Sequence, residues 1–193
     1  MQRLIPILFL LILISCTSEI KQPPGILAKE SPKQVPVEKS QVWEREGYFI
    51  NAIAHFELKA KVLNKERYRY DRESDIAPYD LALGWGRMSD QAIVDKFDIS
   101  QRSRWFFWEA DSYPIPKKEI ELSASNMHII PATDDVMDEL DDLIVGEIIY
   151  LKGYLVSAMH PKDGWRWKSS LSRNDTGNGA CEVVWVEKLL RIK

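Results

Sequence analysis

The chain has 193 residues, a formal net charge of −3 and an apolar share of 45%. That is the make-up of one compact domain plus extras, not of a disordered chain. The weak charge excludes the basic footprint that nucleic-acid phosphates demand. Two cysteines and three histidines, widely spaced, exclude a disulfide framework and a clustered metal site, and no cofactor is expected.

Residues 1–15 have the layout of an export signal: Arg3, an apolar run from Leu4 to Ile14, and the small Ser15. Eleven apolar residues are too few to span a bilayer, which takes about 20. The run ends Leu13-Ile14-Ser15-Cys16 and resembles a bacterial lipobox. The resemblance implies a diacylglyceryl thioether on Cys16 and an acylated amino terminus, hence anchoring by more than one acyl chain. Thr17 stands where an Asp favours inner-membrane retention, so the resemblance implies the outer membrane, on its periplasmic face.

Residues 16–42 read as the lipidated cysteine and a disordered tether, with Pro23, Pro24, Pro32 and Pro36 and no apolar periodicity. A single globular domain is expected over 43–193. Phe56 to Val62 alternates apolar and charged residues as a strand with one wet face. Residues 64–75 extend that strand or turn. Residues 89–97 predict a short helix with Ser89 as its cap. Arg104 to Trp108 reads as a buried strand. Residues 133–143 predict a helix capped by Thr133, with Val136, Leu140 and Leu143 as its apolar stripe. The run from Gly146 to Val156 is β in character, with a bend at Gly153. It pairs as a hairpin with residues 165–169. Residues 181–192 close the domain as another strand.

The expected class is α+β: a small, curved, mostly antiparallel sheet or partly closed barrel of five or six strands, with two or three short helices. The run VGEIIYLKGYLV resembles the strand-bend-strand of an oligonucleotide/oligosaccharide-binding (OB) or SH3-like barrel.

Cys181 is the thiol that remains once Cys16 is lipidated. Its approach, NDTGNGAC, resembles the SxGC segment of L,D-transpeptidases, which implies a cysteine nucleophile, with His128 or His160 as the base a thiol needs. Ala180 replaces the glycine of that pattern, and no His-Gly pair is present. Cys181 also opens an apolar strand, where a free cysteine is ordinarily a small hydrophobe, and this is the favoured reading. His55 has no ligand spacing either. Trp85, between two glycines, is either core or an outward ligand-binding indole, with core favoured. Arg173 and Asp175, in the polar run 169–177, could hold a carboxylate or sugar hydroxyls. Trp165 and Trp167 share one face, core by preference.

The segments DLALGWGxMSD (80–90), ISQxxRWxxW (99–108), NMHxIPA (126–132) and GWxWxSSLSRxDTGxGAC (164–181) resemble a group of uncharacterised bacterial envelope proteins. That likeness implies one coherent domain and no particular activity. Lacking a complete catalytic constellation, the sequence reads first as a lipid-anchored, non-enzymatic accessory or binding module for an envelope protein or peptidoglycan. The alternative is an envelope cysteine hydrolase or transpeptidase using Cys181 with a histidine.

Overall fold

A computed structural model describes residues 19–172 and 181–192. Its strands are β1 (Lys33–Pro36), β2 (Val42–Arg45), β3 (Tyr48–Arg67), β4 (Tyr79–Gly84), β5 (Asp98–Arg102), β6 (Trp105–Glu109), β7 (Ala124–Pro131), β8 (Ile148–Met159), β9 (Arg166–Lys168) and β10 (Glu182–Ile192). Three short helices, α1 (Gln91–Val94), α2 (Lys117–Ser123) and α3 (Asp134–Asp142), join them. Eight strands form one sheet, and β5 with β6 makes a separate ribbon. Only the β7–β10 pairing is parallel among the described strands. The class is the α+β expected from the sequence.

The twenty-residue β3 organises this sheet. Its first two-thirds pairs with β8 and its last part with β4. One strand shared between two neighbours closes β3, β4, β7, β10 and β8 into a partial ring. With α3 between its third and fourth strands, the ring has the plan of a five-stranded OB barrel.

Period-two alternation fills both faces of this ring. Phe56, Leu58, Val62, Leu81, Ile129 and Val184 are among the side chains packed inside it. Tyr48 and Ile50 instead join a second core on the outer face, with Ile130, Val156, Val183 and Trp185. A register shift between Ala52 and Ala54 inserts one residue into β3. Such a bulge exchanges the faces, so one strand serves both cores. A third core gathers Leu63, Ala82, Met88 and Ile120 under α1, α2 and the ribbon. Helix α3 seals the ring as expected: Thr133 Oγ1 accepts from the Val136 amide, and Val136, Leu140 and Leu143 are buried.

Three expectations are corrected. Residues 19–42 are not a free spacer. Val35 in β1 and Trp43 in β2 pair with β3, and earlier residues are hydrogen-bonded along the domain: the Ile20 amide to the Val145 carbonyl (2.8 Å), and the Leu27 and Ala28 amides to Ser89 Oγ (3.2 and 3.0 Å). The prolines suppress regular structure, but the amides between them still find acceptors. Ser89 is therefore occupied with this segment, and Asp90 caps α1 by accepting from the Ala92 amide. Residues 104–108 form the outer ribbon rather than a buried strand, because their aromatic side chains cover the third core from one side only.

Gly153 on β8 sits close against the β10 backbone at Trp185 and Val186. A Cβ there would lie 1.9 Å from the Trp185 carbonyl oxygen. Gly153→Ala is expected to lower stability by about 3 kcal/mol, the upper part of the range for point substitutions. Urea unfolding followed by tryptophan fluorescence measures it, and an unchanged midpoint would refute the packing argument.

Candidate functional site

Asp80 on β4 and His128 on β7 lie on adjacent strands, and Cys181 immediately precedes β10, the next strand. Asp80 and His128 are register partners, and His128 pairs with Val183 on its other side. Alternation places Asp80, Asn126, His128 and Cys181 on the outer face of the ring. They form a polar seam between the second core, which holds Ile130 and Val183, and the third, which holds Ala82 and Ala124.

His128 Nδ1 lies 2.8 Å from Asp80 Oδ1. An ionised carboxylate can only accept, so Nδ1 carries the hydrogen and Nε2 is left for another partner. The Cys181 side chain lies close enough to the ring to favour its charged form. His128 is 3% exposed, whereas Cys181 is partly exposed. Trp167 covers the imidazole, with ring centroids 4.7 Å apart. The Ser170 amide donates to the Cys181 carbonyl (3.0 Å), and Ser169 Oγ accepts from the Val183 amide (3.1 Å). These bonds tie the chain after β9 to the start of β10.

Asp80 is 0% exposed. A buried carboxylate persists only with full compensation. Arg104 Nη1 donates to Oδ1 at 2.7 Å, and Asn126 Nδ2 donates to Oδ2 at 3.1 Å. Arg104 is gripped in turn by Asp71 through two bonds of 2.7 and 2.8 Å and by the Ala77 carbonyl at 2.9 Å, and it stacks 3.9 Å over the Tyr68 ring. Gln101 Nε2 donates to Asn126 Oδ1. Beside Arg104 the seam opens into a hollow of about 780 Å³ bordered by Tyr68, Arg69 and Asp71.

Arg104 sits at the tip of the β5–β6 hairpin, where Ser103 and Arg104 have φ of 51° and 69°. A two-residue loop with both angles positive ordinarily takes Asn-Gly. Ser-Arg here carries strain of order 1–3 kcal/mol per residue. The ion pairs to Asp71 and Asp80 hold the tip in place.

Burial opposes charging of His128, but the Asp80 hydrogen bond and the contact with Cys181 outweigh it, lifting its pKa from 6.5 to about 9. At neutral pH the ring is an imidazolium held against a thiol-bearing side chain and oriented by a carboxylate. A thiol-bearing residue, an imidazole ring and a carboxylate that orients the ring are the parts of an activated nucleophile.

Of the residues singled out in the sequence, the structure brings Cys181, His128 and Trp167 together at the seam and leaves the others apart. Cys181 is thus not the enclosed hydrophobe favoured from its strand. His160 belongs to the β8–β9 turn, 3.3 Å from Asp163 and edge-on to Tyr48. Trp85 is 1% exposed within the ring core, which corrects its candidacy for ligand binding. Trp165 and Trp167 pack against the second core. Cys16, Arg173 and Asp175 lie outside the described residues. Among those residues no cluster of three His, Cys, Asp or Glu could hold a metal ion. Sequence reasoning missed Asp80, Arg104 and Asn126. The available signal was Asp80 itself, a lone carboxylate heading the otherwise uncharged run YDLALGWG.

Folding raises the His128 pKa, so the native state holds its proton more tightly. The resulting stabilisation, about 3 kcal/mol, is complete below about pH 6.5 and is lost as pH rises through about 9. Asp80→Asn is expected to remove most of this dependence. Urea midpoints at pH 6 and pH 10 for both proteins measure it, and parallel losses would refute the assignment.

Comparison of the chain with protein-family models, with curated proteins and with solved structures found no match. The functional conclusion therefore rests on the site itself.

Proposed function

We propose that the protein is a lipid-anchored envelope protein of the outer membrane, whose periplasmic domain carries a cysteine nucleophile for acyl transfer, as a hydrolase or transpeptidase. The observation that carries this reading is the buried Asp80–His128 pair, with the partly exposed Cys181 beside it at the head of β10. It supplies the constellation that the sequence alone lacked, and it moves the balance from the accessory or binding module to the enzyme.

In the proposed reaction His128 Nε2 holds the proton of the Cys181 thiol, leaving a thiolate beside the imidazolium. The sulfur adds to the carbonyl carbon of an amide or ester, forming the C–S bond of a tetrahedral intermediate. Collapse breaks the bond to the leaving nitrogen or oxygen, which takes the proton from Nε2. The thioester is then released to water or to a second amine, whose proton returns through His128. Asp80 holds the ring in the tautomer this requires. Arg104 and Asn126 stay bonded to its two oxygens, which fixes its own position.

Position supports the same reading. Asp80 and His128 lie on the second and third strands of the ring, the face on which OB barrels hold ligands; this is a likeness of fold, not of function. Each of the four segments that resemble envelope proteins also contributes to the seam: Asp80; Gln101 and Arg104; Asn126 and His128; Trp167 and Cys181. The lipobox at Cys16 supports the anchor, and no helix among the described residues is long and apolar enough to cross a membrane.

The test is the rate at which iodoacetamide modifies Cys181 in the folded full chain, read by peptide mass. The rate at pH 6 is expected to fall roughly 10–100-fold in His128→Gln. A thiol that stays inert until the domain unfolds would sink the enzyme and restore the accessory or binding module.

A further inference from the structure

The segment after the lipobox is built into the domain as a strap. Glu19 bridges Val145, and the Ile20 amide donates to the Val145 carbonyl. Gln22 bonds Gln91 through its amide (3.0 Å) and the Gly146 carbonyl through its side chain (3.1 Å). The Gly25 amide donates to Asp90 Oδ1 (2.9 Å), the Leu27 and Ala28 amides to Ser89 Oγ, and the Ala28 carbonyl accepts from the Gly86 amide (2.7 Å). Lys21 is salt-bridged to Glu19 and Asp95, both at 2.9 Å. Beneath the strap the buried Lys61 donates to the same Gln91 oxygen that the Gln22 amide uses. Gly146 has φ of 93°, and a Cβ there would overlap the Ile20 carbonyl oxygen at 1.8 Å. The two backbones meet too closely for any other residue.

This docking shortens the leash. Three residue steps separate Cys16 from Glu19, and an extended chain covers at most about 10 Å in three steps. The headgroup layer on one side of a bilayer is roughly 5–8 Å thick. A lipid on Cys16 therefore leaves Glu19 just above the headgroups, not tens of ångströms away. The surface around that point suits such a position. Phe97 lines a cavity of about 340 Å³ together with Glu19, Lys21 and Val145. It joins Trp108 and Tyr113 in an aromatic cluster, with Lys117 over the Tyr113 ring. Ile20 and Tyr113 are 37% and 42% exposed. Aromatic rings with a polar edge and a neighbouring lysine are the residues that settle at the membrane–water boundary.

We propose that the strap seats the Val145 end of the barrel directly on the bilayer surface, with Ile20 and the Phe97–Trp108–Tyr113 cluster against the headgroups. This rests on the reading of Cys16 as lipidated. It also orients the thiol. β8 begins next to the strap, and its other end lies beside Cys181, since the Ser169 amide bonds the Val156 carbonyl and the Ser170 amide bonds the Cys181 carbonyl. Eight residue steps of strand from Ile148 to Val156, roughly 26 Å of contour at 3.3 Å each, separate the membrane contact from the nucleophile. Cys181 thus faces away from the membrane, towards acyl donors held above the bilayer and not those within it.

The full lipidated chain, ¹⁵N-labelled and reconstituted in phosphatidylethanolamine–phosphatidylglycerol nanodiscs doped with a gadolinium-chelate lipid, tests this. The mass of the Cys16 peptide is read on the same sample. Amide signals of Ile20, Lys21, Phe97, Tyr113 and Val145 are expected to broaden beyond detection, while those of Trp167 and Val183 keep their intensity. Even broadening over the domain, or broadening centred on the Cys181 end, in a chain that carries the lipid overturns the docking and leaves the anchor standing. An unmodified Cys16 overturns both.

Discussion

The burial of one carboxylate governs the outer face of this barrel. Asp80 has no solvent to stabilise its charge, so neighbouring elements must supply donors. Arg104 arrives from the ribbon, Asn126 and His128 from the adjacent strand. Each donor is then confined by its own partners: Arg104 by Asp71 and Tyr68, Asn126 by Gln101. The strained hairpin tip at Ser103–Arg104 persists because releasing it would strip the carboxylate of its strongest partner. The imidazole that meets Cys181 is oriented by the same demand.

Two apolar cores make that demand strict. The seam runs between the second and third cores, both anchored on the ring strands, so its polar groups can neither drift to solvent nor repack. Rigid strands carrying a hydrogen-bonded network hold a reacting pair more closely than loops would. Trp167 adds a lid over the imidazole, which lowers the local dielectric and strengthens each charge interaction beneath it. Cys181 is partly exposed and lies at the open edge of this arrangement.

Strap and seam divide the molecule by role. The strap uses backbone amides between prolines to fasten the start of the described chain to the Val145 end of the barrel. The seam occupies the other end of β8. β3, through its bulge and its two partners, makes both ends part of one packed body. Strap and seam are thereby held at opposite ends of β8 in one packed body.

Much of the architecture was legible in residue patterns. Alternation over 56–62 and 181–192, the Thr133 cap with its Val136–Leu140–Leu143 stripe, and the 148–168 hairpin all follow from local periodicity. The lipobox expectation at Cys16 is equally local. The strap was not legible, because its hydrogen bonds go to Ser89, Asp90 and Gln91, more than sixty positions away. Ser89 looked like a helix cap because its long-range partners left no trace in the nearby sequence. His128 and Cys181 were visible as residue types, but no spacing of 53 positions announces a contact. Asp80 stood out only as a lone carboxylate in an apolar run, and Arg104 carries no such hint at all. The sequence by itself determined which residues alternate, cap and turn, since those preferences act between near neighbours. The tertiary structure alone decided which polar groups share a buried site, because that depends on ring closure bringing β4, β7 and β10 side by side.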